Sequence, residues 1–166
     1  MSTKATVTLS VQTFLSWDGG QDAKPEQCCH ATATIDPDDS SKISISDPTS
    51  TNFVININKH GSHTSLSFVV VPDAGMAGSY QSFIPIGIAL QESDGKETDP
   101  TGTLEFPTVT IEDDKSSGDR TLTLDVASNE TATWNFFLVI QGIPAEKADT
   151  GYDIGIIDPR IKGSAN

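Results

Sequence analysis

The stretch "TVTLSV", residues 6–11, decides the fold. Val7, Leu9 and Val11 fall on one side, and Thr6, Thr8 and Ser10 on the other. A period of two is that of a pleated strand with one buried face. Val and Thr are β-branched and fit such a surface. The alternation returns at Ala31/Ala33/Ile35, Ile43/Ile45, Phe53/Ile55/Ile57 and Leu66/Phe68/Val70. It continues at Ile84/Ile86/Ile88/Leu90, Leu122/Leu124/Val126, Trp134/Phe136/Leu138/Ile140 and Tyr152/Ile154/Ile156. No stretch carries the 3.6-residue period of an amphipathic helix, and residues 144–149 have room for one short turn at most.

Between these runs lie turn-forming clusters, among them Asp18-Gly19-Gly20, Pro37-Asp38-Asp39, Pro72-Asp73-Ala74-Gly75 and Ser93-Asp94-Gly95. The pattern predicts an all-β fold, an antiparallel β-sandwich of about nine or ten short strands. A chain of 166 residues suits a single domain spanning 1–166, with a C-terminal strand ending at 157–158 and a short tail, 159–166. Two prolines disturb the pattern. Pro85 sits inside a strand run, which demotes that strand to an edge or divides it. Pro107 separates Leu104 and Phe106 from Val109 and Ile111, which fall on the opposite parity, so a bulge or an edge is expected there.

The formal net charge is −13. Nucleic acids and anionic membrane surfaces demand clustered Lys and Arg, so neither is an expected partner. A homo-oligomer is expected, and no particular ligand is indicated. The two cysteines, Cys28 and Cys29, are adjacent, which is not a disulfide framework. The polar start and the lack of a long apolar run lead to an expectation of a cytoplasmic protein.

Several groups invite a chemical reading. "QCCH", residues 27–30, places two thiols beside His30, but adjacent cysteines do not easily point at one tetrahedral ion. His60 and His63 make half a metal site in a Gly/Ser-rich connection. The acidic turns Glu112-Asp113-Asp114 with Asp119, and Asp36-Pro37-Asp38-Asp39, lack the spacing of a calcium loop. Neither a metal nor a cofactor is therefore expected. The familiar hydrolase and phosphate-loop motifs are absent from the chain.

The sharper signal is Asp158-Pro159, in "GYDIGIIDPRI". Asp36, Asp47 and Asp99 also precede prolines, but among turn residues, where the pair needs no further reason. Asp158 instead closes an apolar run. A prolyl amide nitrogen leaves readily once protonated, and an aspartyl carboxyl can attack its own carbonyl at high effective molarity. A fold promotes this by raising a carboxyl pKa through burial or a like charge. Such a reaction casts Asp158 as substrate and intramolecular catalyst and Pro159 as leaving group. Asp153 is the nearest further carboxylate along the chain, and Asn135 the nearest polar residue on the preceding strand. On a straight strand Asp153 and Asp158 point to opposite faces, and only a bulge near Gly155 brings them together. Asp125, acting across the sheet, is the alternative acid.

This ending, with the all-β pattern before it, resembles the DP-EP family of small bacterial self-cleaving β-sandwich proteins. The resemblance is specific over residues 151–161. It implies cleavage of the Asp158–Pro159 bond, with a tail peptide retained as a strand. That family has a lysine on the preceding core strand; here "TATWNFFLVIQ" has none, and Lys147 lies in the following connection. A weaker resemblance is to inclusion-body proteins of the PixA/AidA type, which are acidic, β-rich and end near an Asp-Pro-x-Ile. Two functions are thus expected in competition. One is a self-cleaving endopeptidase acting on Asp158–Pro159. The other is a non-catalytic acidic β-sandwich that self-assembles or binds a small ligand.

Overall fold

The computed structural model describes residues 3–14, 29–37, 43–50, 53–57, 64–92, 108–113, 120–126, 133–146, 153–158 and 160–163. These residues hold strands and turns and no helix. In chain order the strands are β1 (Thr3–Thr13), β2 (His30–Pro37), β3 (Ile43–Ser46), β4 (Val54–Ile57), β5 (Thr64–Pro72) and β6 (Tyr80–Glu92). They continue with β7 (Thr108–Asp113), β8 (Arg120–Val126), β9 (Thr133–Pro144), β10 (Asp153–Ile157) and β11 (Arg160–Gly163).

The strands form two sheets. The first has the order β2-β1-β5-β8-β7; the second has β9 bonded to β6, β10 and β11, and continues from β11 through β4 to β3. The inner faces meet as the alternation requires: Val7, Leu9, Val11, Leu66, Phe68, Leu122 and Leu124 oppose Ile55, Phe136, Leu138 and Ile140, all fully buried. Phe68 and Phe136 touch across the layers with ring centroids 5.4 Å apart. This is the sandwich expected from the sequence, but not a purely antiparallel one. β1 runs parallel to β5, and β11 parallel to β4. Periodicity identifies a strand's faces, not the direction of its neighbour, so this could not be read from the sequence.

The prolines behave as their chemistry demands. β6 bonds only to β9 among the described residues, and its register shifts between Pro85 and Gly87. The missing N–H thus falls on an edge strand at a bulge. The shift also changes which side chains face inward: Phe83 and Pro85 are buried before it, and Ile88 packs on the core after it. The expected single face Ile84/Ile86/Ile88/Leu90 is therefore corrected. Asp47 adopts a left-handed backbone (φ 54°) in a turn closed by Ser50 N–H donating to the Asp47 carbonyl at 2.8 Å; Asp is among the few non-glycine residues that accept this conformation. Asp36-Pro37 is not a turn but the end of β2, paired with Thr6 and Ala5 of β1. Leu104, Phe106, Pro107 and Asp99 lie outside the described residues.

Candidate functional site

β9 is bonded to β6 along one edge, from Trp134 to Pro144. Its other edge is shared. β10 occupies Leu138–Gly142, and β11 occupies Thr133–Asn135. Ile157 stands opposite Leu138, and Arg160 opposite Asn135. Three residues forward on one side match three back on the other, so β10 and β11 pair with β9 in the same register. β10 ends at Ile157; in the tail, β11 pairs with β9 through residues 160–162 and with β4 through residues 160–163. By period alone "RIKG" gives no strand signal, being short and half cationic.

The candidate residues for self-cleavage separate on this frame. Asp158 is half-buried, and its parity is that of Ile154 and Ile156, away from the core. Asp153 has the parity of the buried Gly155 and Ile157. The β10 register runs without a shift from Asp153 to Ile157, so no bulge at Gly155 joins the two carboxylates. Asn135 is closer: the backbone register puts it diagonally across from Asp158, a spacing of about 7–8 Å between Cα atoms. Asp125 is on the other sheet, where its parity is opposite to that of the core residues Leu122 and Leu124, and its carboxylate accepts a hydrogen bond from the Ser65 hydroxyl. Pro159 and Lys147 lie outside the described residues.

The inward face of β10 instead builds a compact cluster. Tyr80, at the start of β6, donates its phenolic hydrogen to Asp153 Oδ2 at 2.9 Å. The Tyr80 ring lies 5.0 Å from Phe14 and 5.0 Å from Phe83, and Phe14 lies 5.1 Å from Phe83. Tyr80 is delivered by a tight turn in which Asp73 accepts from the N–H groups of Met76 and Ala77, and Met76 from those of Ser79 and Tyr80. Two glycines clear the space. A Cβ on Gly142 would lie 2.7 Å from Tyr80 Cε1; one on Gly155 would lie 2.6 Å from Phe14 Cε2 and closer still to Cys29 Sγ. Cys29 is buried, and its N–H donates to the Ile156 carbonyl at 2.7 Å, which ties the start of β2 to β10. Burial, then the bond to Asp153 and the negative charges of Asp153 and Cys29, push the Tyr80 phenol up to about 12.

This cluster explains a second correction. The expected apolar face of the last strand was Tyr152/Ile154/Ile156; the core-facing set is Asp153, Gly155 and Ile157. A glycine faces inward because Phe14 and Cys29 fill the volume its side chain would take. Of the other candidates, His30 is exposed while its neighbour Cys29 is buried, and Asp113 pairs with Arg120 across the β7–β8 hairpin. His60, His63, Cys28, Asp38, Asp39, Asp114 and Asp119 lie outside the described residues. Among the described residues no three His, Cys, Asp or Glu side chains gather as a metal site would require.

Sequence comparison finds no matching family model and no matching curated protein. The structure is similar to the crystal structure of an inclusion body protein (PixA) from Burkholderia cenocepacia J2315. The TM-score is 0.57, over 99% of this chain and 96% of that one, at 8% sequence identity. The two share a fold. At that identity the likeness carries no residue roles, since one fold hosts many functions. It falls on the weaker of the two resemblances read from the sequence, and nothing in the comparisons supports the self-cleaving one.

Proposed function

We propose that the protein is a non-catalytic, self-assembling β-sandwich of the inclusion-body type. The observation that carries this reading is the fold likeness over nearly the whole of both chains to a protein described as an inclusion body protein. The geometry is in keeping with it. A second carboxylate that activates water is one route to self-cleavage, and Asp153 and Asp125, the two read from the sequence, are directed elsewhere. The Asp153–Tyr80 bond and the glycine-lined aromatic cluster read as a clasp that anchors the last strand between β9 and Cys29.

Light scattering on the purified chain tests the reading. Mass above that of one 17.6 kDa chain, rising with concentration, supports it. A particle that keeps the mass of one chain at every concentration overturns it.

A further inference from the structure

The self-assembly reading leaves open where copies meet, and the interface inferred at β7 rests on that reading. Among the described residues two large hydrophobic side chains stand out as exposed, Val109 (39%) and Ile111 (44%). Both belong to β7, the last strand of the first sheet. Val109 is registered opposite Leu124 and Ile111 opposite Leu122, and both leucines are fully buried. Directly opposed residues share a face, so Val109 and Ile111 lie on the core side of the sheet. Their exposure leaves that side of β7 only partly covered. β8 is still packed against β6 of that sheet. β7 thus presents a core-like face and an outer edge that no described strand occupies. Such an edge is a template for another strand.

We propose that β7 pairs antiparallel with β7 of a second copy, about a two-fold axis through Thr110. In this register Val109 of each copy stands opposite Ile111 of the other. The four side chains form one apolar strip on the core side. Thr110 meets its own counterpart, and Glu112 faces Thr108 rather than another acid. Charge selects this occupant. The chain carries −13 overall, yet residues 108–111 carry no charge, so two copies can approach there without opposing carboxylates. A cationic partner finds no acid on that strip. The pairing joins the two five-stranded sheets edge to edge. At the far end of the hairpin, the Arg120 guanidinium bonds both carboxylate oxygens of Asp113 and closes β7 onto β8.

The test compares sedimentation of the unmodified chain, a V109K/I111K variant, and a Q81K/A89K control. Gln81 and Ala89 are exposed on β6, the edge strand of the other sheet. The β7 variant sets lysines against lysines across the proposed strip, so dimer dissociation should rise by roughly tenfold or more, with the melting temperature little changed. The control should associate as the unmodified chain does. A second measurement uses single cysteines and a short bis-maleimide. T110C cross-links between copies; T108C does not, because the two positions lie about 14 Å apart in this register. Association that survives V109K/I111K, or cross-linking of T108C in preference to T110C, overturns the β7 interface while leaving self-assembly standing. An unmodified chain that never associates overturns both.

Discussion

Replacing Gly155 with alanine sets two effects against each other, and their magnitudes decide the outcome. In the unfolded chain a Gly→Ala change removes conformational freedom, which stabilises the fold by about 0.4–1 kcal/mol where the site accepts a methyl group. Here it does not. The new Cβ would stand 2.6 Å from Phe14 Cε2 and nearer to Cys29 Sγ, and both side chains are packed on the core. Forcing a methyl group into such a site costs about 1–3 kcal/mol, so the net change is destabilising. For a chain of this length that is a fall in melting temperature of up to about 10 °C. Cys29→Ala in the same molecule removes one of the two clashing atoms, so the double variant should recover part of the loss. Thermal unfolding of the two single variants and the double variant measures this as a coupling of about 0.5–3 kcal/mol. A G155A protein as stable as the parent, or fully additive variants, would refute the placement of Gly155 against Phe14 and Cys29.

The same packing sets other outcomes. The chain has two tyrosines, Tyr80 and Tyr152; absorbance titration should show one tyrosinate forming near pH 12, and Asp153→Asn should lower that value while burial keeps it raised. Because the folded pKa of Tyr80 exceeds its ordinary 10.0, its contribution to stability is whole below pH 10 and is lost as pH climbs toward 12; denaturation midpoints across that window check the sign. Removing residues 159–166 deletes β11 from between β9 and β4 and leaves their backbone groups without partners, at about 1–3 kcal/mol for each group left buried; a melting temperature equal to that of the full chain would contradict the pairing. The denatured mass of the purified protein should remain 17.6 kDa after long incubation, and Asp158→Asn should not change the pattern of species; loss of a tail peptide would restore self-cleavage as the leading reading.

The sandwich was legible where strands alternate without interruption. Val7/Leu9/Val11, Leu66/Phe68/Val70, Leu122/Leu124 and Phe136/Leu138/Ile140 all face the core as their spacing indicates. Legibility failed where the core accepts something other than a large side chain. In β10 the inward positions are Asp153, Gly155 and Ile157, because the volume belongs to Phe14, Cys29 and Tyr80, which are distant in the chain. In β6 a bulge after Pro85 reverses the phase, and a period count cannot see an inserted residue. The Asp158–Pro159 chemistry was sound for an isolated peptide, but its proposed helpers depended on strand register. That register sends Asp153 to one face and leaves Asp125 on the other sheet. The exposure of Val109 and Ile111 was equally hidden, since their spacing resembles that of buried residues.

The most direct test of self-assembly is sedimentation velocity of the unmodified chain over a dilution series, at low and at moderate salt. Two copies that each carry −13 repel at long range, while residues 109–111 at the centre of the proposed contact are uncharged, so added salt should strengthen association by screening that repulsion. The expected result is a faster-sedimenting species that grows with both concentration and salt. A single boundary at the monomer position under all of these conditions would contradict it.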